Sequence, residues 1–528
     1  MPEKHGADFI QSVVIVGGGT AGWMTAAALS ELIGRDRLDI TLVESEQIGT
    51  VGVGEATLPH LRHFNTRLGI NEHDFVRQTQ ASYKLGIEFV NWGQVGEAYI
   101  HPFGDFSRPI AGIDFYHYWL RAQREGFEHR LFDFSLPVVA AKGNKFSYPS
   151  ANKASLQSDF SYAFHIDANL YAAYLRQYAE ARGVSRIEGK VLDIELNQSS
   201  GEAEALVLEG GWRYAADFFI DCSGFRSLVL GKVLATPFID WSHWLPCDRA
   251  VALPTKNSGP LLPYSRATAH RAGWQWRIPL RHRTGHGHVY CSSYSRDDAA
   301  LDTLIANVDG EPLADPRVLT FTAGRRSQAW VKNCAAIGLS SGFLEPLEST
   351  SIYLIQIAIM KLIEFFPKRQ APQQKNRDAF NRHLSLEYER IRDFLILHYH
   401  VTRRQDSEFW NYCRTMPIPD SLQERIQVFQ ELAHVPRYTN GLFLPPSWVA
   451  VLLGQGAIPK NFQTMVNIHS RDLLHKELEK IKQSIYQAAH SFADHQTVLD
   501  KHCAESPQEN TAAQPWPPSA MSLYGVFS

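Results

Sequence analysis

Apolar positions near the start of the chain fall into three short segments separated by polar or glycine-rich residues. Residues 13 to 16 are continuously apolar, residues 21 to 33 are rich in alanine and leucine, and residues 39 to 44 form an apolar segment that ends in an acid. This order predicts a strand at 13–17, a helix at 21–33 and a strand at 39–44. Together they form a βαβ unit with a glycine turn after its first strand.

Farther along, the same reasoning predicts a mixed α/β body whose C-terminal half is mostly helical. Strand-like segments lie around residues 190–196, 205–208, 215–222, 250–254 and 288–292. Helical patterns lie around residues 170–182, 352–366, 383–400 and 472–487. We expect residues 1–370 to form the nucleotide-binding and catalytic module, 371–503 to form a helical region that covers the substrate, and 504–528 to form a flexible tail.

Composition excludes several classes of protein. The chain has 528 residues, of which 44% are hydrophobic and 20% charged, so it can bury a large core. Its formal net charge of −3 provides no basic field for nucleic acid or an anionic membrane, and no run of 18 apolar residues occurs. Six scattered cysteines indicate free thiols in a reducing compartment rather than a disulfide framework or a metal site. These features predict a soluble cytoplasmic protein and leave a homodimer open.

The glycine turn has the pattern of a dinucleotide-binding fingerprint. Helix N-termini bind pyrophosphate, and Glu44 lies where a carboxylate can accept hydrogen bonds from ribose hydroxyls. A lone glycine motif can also be a plain turn, but the strand, helix and terminal acid favour a nucleotide site. No second glycine fingerprint is evident, which favours FAD over NAD(P) and implies a separate flavin reductase. The predicted contacts are Gly17, Gly18, Gly19, Ala21, Gly22 and Glu44.

Five ordered motifs then carry a family resemblance. They lie at residues 17–24, 52–57, 82–84, 274–279 and 345–351, the fourth being Trp274-Gln275-Trp276-Arg277-Ile278-Pro279. From about residue 13 to 459 the chain resembles the flavin-dependent halogenases of the tryptophan-halogenase type. The resemblance implies a Rossmann-like flavoprotein-monooxygenase core. It also implies that FADH2 and O2 form a flavin hydroperoxide, which oxidises chloride or bromide to a hypohalous species that reaches an electron-rich aromatic through a tunnel.

Two residues match the catalytic positions of that family. An isolated lysine is usually a solvated surface residue, but Lys84 occupies the position of the family's essential lysine, which binds hypohalous acid or forms a haloamine. Glu348 precedes a helix, where a carboxylate is stabilised by the helix dipole. The resemblance makes it the group that polarises the halogenating species or takes the ring proton.

The resemblance also implies halide and flavin contacts. Thr350 and Ser351 stand at a helix start whose free amides suit an anion, and the family places its halide there. The family more often has glycine at the position of Ser351, so halide preference is open. Further flavin contacts by backbone are implied at Gly54, Ala56, Val191, Leu339 and Ile352.

Trp274 and Trp276 have two interpretations. As a tunnel wall, two rigid indoles would keep the flavin away from the substrate and suppress direct monooxygenation. Alternatively, they are core aromatics.

Substrate contacts are implied at His101, Phe103 and Trp448, where ring stacking suits an indole. Trp448 could instead anchor the helix after Pro446. Residues 439–449 lack the paired tyrosines and carboxylate that hold free tryptophan in the family. We therefore expect indole, a substituted indole or another electron-rich aromatic rather than free tryptophan, with tryptophan and a carrier-bound substrate left open.

Two rival classes remain. An aromatic flavin hydroxylase would share the fold and the oxygen chemistry without requiring Lys84 and Glu348. A non-catalytic flavin-binding protein would bind FAD and form no product.

Overall fold

The predicted βαβ unit forms the centre of a parallel sheet. The computed structural model describes residues 10–47, 54–368, 373–438 and 441–504. Strand β1 (Ser12–Val16) pairs in parallel with β2 (Asp39–Glu44), and helix α1 (Thr20–Leu32) connects them. All three bounds fall within one residue of the prediction, because β1 is buried on both faces and its apolar run is continuous.

The described helices are concentrated in the C-terminal part of the chain. They are α1 (Thr20–Leu32), α2 (His60–Arg67), α3 (Glu72–Gln78), α4 (Phe115–Arg124), α5 (Leu136–Lys142), α6 (Ala168–Glu180), α7 (Asp297–Ala306), α8 (Ser351–Glu364), α9 (Gln374–His400), α10 (Glu408–Thr415), α11 (Asp420–Leu432), α12 (Pro445–Gly454), α13 (Arg471–His490) and α14 (His495–Ala504).

The described strands are mostly short. They are β1 (Ser12–Val16), β2 (Asp39–Glu44), β3 (Gly54–Ala56), β4 (Ser82–Lys84), β5 (Gly86–Val90), β6 (Ala98–Pro102), β7 (Lys145–Phe146), β8 (Ala163–Asp167), β9 (Ser185–Glu188), β10 (Val191–Leu196), β11 (Ala203–Leu208), β12 (Arg213–Ala215), β13 (Phe218–Asp221), β14 (Phe238–Asp240), β15 (Arg249–Thr255), β16 (Ser265–His270), β17 (Gly273–Pro279), β18 (Thr284–Tyr290), β19 (Arg317–Thr320), β20 (Gly324–Arg326), β21 (Trp330–Val331), β22 (Cys334–Ala336), β23 (Gly342–Phe343) and β24 (Ala493–Asp494).

Three sheets position the functional residues. A six-stranded sheet, in the order β21-β22-β13-β1-β2-β9, holds the glycine turn at the end of β1. A seven-stranded sheet, in the order β19-β15-β18-β17-β16-β5-β6, carries the two tryptophans on β17. A small sheet pairs β3 and β4 with opposite edges of β8, so β8 lies between residues 54–56 and the strand of Lys84.

These sheets and helices confirm the α/β fold class. Two element bounds differ from the prediction for physical reasons. Helix α9 begins at Gln374 rather than near residue 383, because its first turns are polar and exposed and therefore lack apolar periodicity. Strand β18 begins at Thr284 rather than 288, because its glycines disfavour a strand; a Cβ at Gly287 would lie 2.1 Å from the ring of Trp276.

The domain boundaries remain predictions, and the predicted flexible tail lies outside the described residues after Ala504. Helix α13 and helix α14 continue the helical region to that point. All six cysteines are free thiols. None of the helices in the described part of the chain combines the length and apolarity needed to cross a bilayer.

Candidate functional site

A cavity of about 800 Å³ lies at the end of β1. The glycine turn forms one wall, and α1, whose N-cap is Gly19, has no side-chain cap and no acidic residue in its first turn. Its amides are therefore available to an anion. A Cβ at Gly18 would lie 1.5 Å from Glu44 Oε2, so the cradle admits no larger residue. The donor-rich turn, the acid and the apolar lining fit FAD.

The predicted cofactor residues divide into two groups. Those that line the cavity are Gly17, Gly18, Gly19, Ala21, Glu44, Gly54, Ala56, Val191, Leu339 and Ile352. Gly22 is not among the described lining residues: a Cβ there would lie 1.9 Å from the Gly17 carbonyl oxygen. The cofactor contact at Gly22 stays a prediction, and the lack of a side chain there allows the start of α1 to pack closely on the glycine turn.

Glu44 is paired within the protein as well as facing the cavity. Arg186 Nε and Trp23 Nε1 both donate hydrogen bonds to its carboxylate, the latter at 3.4 Å. These two contacts fix the carboxylate at the cavity wall.

Lys84 is fully buried at the end of β4, which excludes its alternative as a solvated surface residue. Its Nζ donates hydrogen bonds to the Thr57 carbonyl oxygen at 3.0 Å and to Ser349 Oγ at 2.9 Å. Burial lowers the pKa of Lys84 to about 7, with Glu348 opposing the shift. Both forms of the amine are therefore populated near neutral pH.

Glu348 is also fully buried, yet it remains ionised. It ends a 3-10 turn at Pro346–Glu348, before the start of α8. Burial alone would raise its pKa, but His101 and His398 offset that effect and lower the pKa to about 2. His101 Nδ1 donates to the carboxylate at 2.9 Å from each oxygen.

His398 is a functional candidate that sequence reasoning missed. Its Nδ1 donates to the Phe394 carbonyl oxygen at 2.9 Å, and its Nε2 lies 2.8 Å from Glu348 Oε1. The His398 ring therefore contacts the Glu348 carboxylate and contributes to the lowered pKa of Glu348. Its position in α9, fifty residues after Glu348, carries no motif that would have identified it.

Ser349 connects the lysine to the cavity. It lines the cavity, accepts the Lys84 hydrogen bond and adopts a left-handed conformation with φ of 60°. Thr350 and Ser351 follow as the N-cap and first residue of α8, and Ser351 lines the cavity. Thr350 Oγ1 is buried without a hydrogen-bond partner among the described residues. The free amides at this helix start suit a halide.

The two tryptophans occupy successive positions on one face of β17. Trp276 lines the cavity, whereas Trp274 lies behind it at a ring-centroid distance of 6.3 Å. Trp274 Nε1 donates to Glu345 Oε2 at 2.8 Å, which fixes the indole. Both rings are buried in the core, and Trp276 also forms part of the cavity wall.

The predicted substrate residues contact Glu348, Lys84 or Phe394. His101, Phe103 and Trp448 are all buried. Phe394 packs against His101 and Trp448 at centroid distances of 5.8 and 5.1 Å and stacks on Phe443 at 3.8 Å. The ring of Phe103 lies 5.0 Å from Lys84 Nζ. We call His101, Phe394, Phe443 and Trp448 the aromatic cluster.

Comparison with known proteins agrees with this geometry. The family described as tryptophan halogenase matches residues 12–471. The chain belongs to the tryptophan halogenase family. Among curated relatives, it is 37% identical to 7-chloro-L-tryptophan 6-halogenase KtzR of Kutzneria sp., over 92% of this chain and 98% of the relative. It is 38% identical to the tryptophan 6-halogenase SttH of Streptomyces toxytricini, over 84% and 89%.

Solved structures of halogenases share the whole fold. BrvH, a flavin-dependent halogenase from Brevundimonas sp. BAL3, superposes with a TM-score of 0.90 at 45% identity, covering 93% of this chain and 99% of that one. A flavin-dependent halogenase from Xanthomonas campestris gives 0.90 at 44% identity, covering 95% and 100%. The family resemblance is thus confirmed, and this tryptophan halogenase family member is a flavin-dependent halogenase that uses FADH2, O2 and a halide.

Proposed function

We propose that this enzyme chlorinates or brominates the indole ring of tryptophan. The observation that carries the proposal is the pair of buried catalytic candidates, Lys84 and Glu348, beside a flavin-sized cavity to which Ser349 connects them. Curated relatives named as tryptophan halogenases support the choice of substrate. They favour tryptophan over the generic indole that the sequence alone led us to expect.

Bound FADH2 supplies the two electrons with which oxygen is reduced while a halide is oxidised to hypohalous acid. The halide would bind at the amides of Thr350 and Ser351, at the edge of the cavity. Trp276 and Trp274 would separate the flavin from the substrate, so that only the small hypohalous acid reaches the ring. Flavin-dependent halogenases receive reduced flavin from a separate reductase, and we expect the same here.

Lys84 would hold and activate the hypohalous acid. Two of the three N–H groups of the ammonium donate to Thr57 and Ser349. These two hydrogen bonds fix the ammonium and leave its third N–H free to donate. That N–H would donate to the oxygen of the acid. As the carbon–halogen bond forms and the halogen–oxygen bond breaks, the departing oxygen would take the Lys84 proton and leave as water.

Glu348 would take the proton from the ring carbon that has gained the halogen. Its pKa of about 2 keeps it ionised at neutral pH, and the carboxylate would also stabilise the cationic ring intermediate. Release of that proton from Glu348 to solvent and reprotonation of the Lys84 amine from solvent would restore the starting state of both groups. Ring hydrogen and hypohalous acid thus become halogenated ring and water.

A second candidate substrate is free indole or a substituted indole. The observation that favours it is the sequence of residues 441–449, which lacks the paired tyrosines of enzymes that hold free tryptophan; Thr439 and Asn440 lie outside the described residues. A homodimer also remains a prediction.

The test supplies FAD, NADH, a flavin reductase and bromide to the purified protein, with tryptophan and indole in separate reactions. Mass spectrometry would identify brominated and hydroxylated products. Tryptophan bromination with a higher kcat/KM than indole bromination supports the proposal. A clear preference for indole contradicts the substrate assignment, and a halide-independent hydroxylated product contradicts the reaction.

A further inference from the structure

Two arginines without carboxylate partners lie next to the aromatic cluster. Arg390 on α9 and Arg425 on α11 place their guanidinium carbons 4.3 and 3.9 Å from the ring centroid of Tyr438. Neither guanidinium is within ion-pair distance of a carboxylate in the described part of the chain. Nearby Asp393 is already bonded to Arg392 and Ser421.

Both side chains have unused hydrogen-bonding capacity. Arg390 Nη1 is buried and has no hydrogen-bond partner among the described residues. Arg425 is buried, and its Nη1 donates to the Pro436 carbonyl oxygen. Burial and the neighbouring Arg390 charge lower the pKa of Arg425. Glu387 and Asp393 act on Arg390 and Arg425 without forming an ion pair with them. Two cations close to one ring still repel each other and are costly to desolvate, and an anion bound between them would offset both costs.

Arg390 is aligned along α9 with His398, which contacts Glu348. Arg390, Phe394 and His398 are spaced by four residues on α9 and therefore share a face. His398 lies 2.8 Å from Glu348, Phe394 belongs to the aromatic cluster, and Arg390 follows one turn farther out. Arg390 and His398 are separated along the helix axis by about 12 Å.

The second arginine reaches the same place from another helix. The guanidinium carbon of Arg425 lies 4.5 Å from the ring centroid of Trp448, a wall of the aromatic cluster. Tyr438 is half-buried whereas Trp448 is fully buried, so the arginines stand between the cluster and the surface.

We propose that Arg390 and Arg425 form an anion subsite that binds a carboxylate on the side chain of the aromatic substrate. The subsite selects indoles that carry an acidic side chain over neutral or cationic ones, with the ring in the aromatic cluster and the carboxylate on the guanidinium groups. Arginine suits this role because its planar fork binds a carboxylate through two hydrogen bonds. The inference rests on the proposed function for the position of the ring, but the binding of an anion does not require halogenation.

The first experiment measures binding alone by titration calorimetry, without flavin or halide. The ligands are indole-3-propionate, tryptamine and indole, which differ chiefly in charge. Indole-3-propionate is expected to bind at least tenfold more tightly than tryptamine. The variant R390Q should weaken its binding by tenfold or more, and R390K should recover part of the loss because it retains the charge.

The matched control is R382Q, which removes the same charge from an exposed position on α9 and should leave binding unchanged. Equal affinity for indole-3-propionate and tryptamine, or equal losses in R390Q and R382Q, would overturn the subsite. The thermal unfolding midpoint of R390Q is measured as well. A midpoint equal to that of wild type shows that a loss of binding affinity is not caused by misfolding.

The second experiment measures bromination of indole-3-propionate and indole. The ratio of kcat/KM for the acid to that for indole should fall at least tenfold in R390Q and remain constant in R382Q. No brominated product from any indole would count against the proposed function while the calorimetry still decides the subsite. Bromination of both compounds with an unchanged ratio would count against the subsite alone.

Discussion

Replacing Lys84 by methionine tests whether its amine is as buried as the structure indicates. Burial lowers the pKa of this lysine from 10.5 to about 7. A shift of one pKa unit is worth about 1.36 kcal/mol. Holding the amine in the folded protein therefore costs about 5 kcal/mol at pH 7 and below. Methionine fills a similar volume and carries no charge, so K84M avoids this cost.

The variant also loses two hydrogen bonds. Without the Lys84 donor, the Thr57 carbonyl oxygen and Ser349 Oγ are left to find other partners, at a cost of about 1–3 kcal/mol. The net result at pH 7 is a variant that is more stable than wild type by about 2–4 kcal/mol.

The sign of the pH dependence follows from the lowered pKa. Between about pH 7 and 10.5, unfolded Lys84 carries a proton that the folded amine lacks, so wild-type stability rises with pH in that window. K84M lacks this dependence. The stability advantage of K84M over wild type should therefore shrink as pH rises. It should reach zero near about pH 9, where the cost of burying the amine in wild type equals the cost of the two hydrogen bonds that K84M loses.

Thermal unfolding midpoints measured between about pH 6.5 and 9.5 provide the assay. The control is Lys142→Met on the exposed end of α5, which should track wild type at every pH. A K84M midpoint below that of wild type at pH 7, or a difference that does not change with pH, would refute the buried-amine argument.

Three further substitutions test neighbouring parts of the site. E348Q should lower the halogenation rate, measured as brominated product formed per unit time, by about 10²–10⁴-fold. The melting midpoint should change little, because the amide can still pair with the two histidines. A rate within threefold of wild type would exclude the role of Glu348 as a base. S349A removes an acceptor from the Lys84 ammonium, so the pH midpoint of activity should move below about 7. S349G should have the same pH midpoint as S349A but a higher melting temperature than S349A, since glycine tolerates the φ of 60° at this position. H495A should lower the melting midpoint, because fully buried His495 accepts a hydrogen bond at 3.2 Å from the backbone N–H of Tyr83, next to Lys84. An unchanged midpoint would mean that α14 does not stabilise β4, the strand that carries Lys84.

The βαβ unit could be predicted from the sequence because its signals are local. A continuous apolar run, a glycine turn and an acid at the end of the next strand all fall within residues 12–44. Lys84 and Glu348 were found for a different reason: each lies in a short motif that resembles a family, although their roles stay predictions. Helix α9 shows the limit of local signals, because its polar first turns gave no periodicity.

The partners of these residues could not be predicted, because they are brought together only by the tertiary fold. His398 and Arg390 lie on α9, and their spacing shows that they share a helix face but not that Glu348 or Tyr438 lies opposite. Likewise, Ser349 is part of a recognised motif, yet its hydrogen bond to Lys84 joins residues 265 positions apart. Gly22 was assigned to the cofactor from the glycine motif, and its close approach to the Gly17 carbonyl oxygen could not be predicted from that motif.

The most direct test of the central claim is a single-turnover reaction. The enzyme is loaded anaerobically with FADH2, bromide and tryptophan, mixed with oxygenated buffer, and sampled for brominated product and hydrogen peroxide, with K84M as the comparison. We predict nearly one brominated ring per flavin in wild type and peroxide without brominated product in K84M. Equal bromination by the two proteins, or peroxide alone from wild type at saturating bromide and tryptophan, would contradict the account.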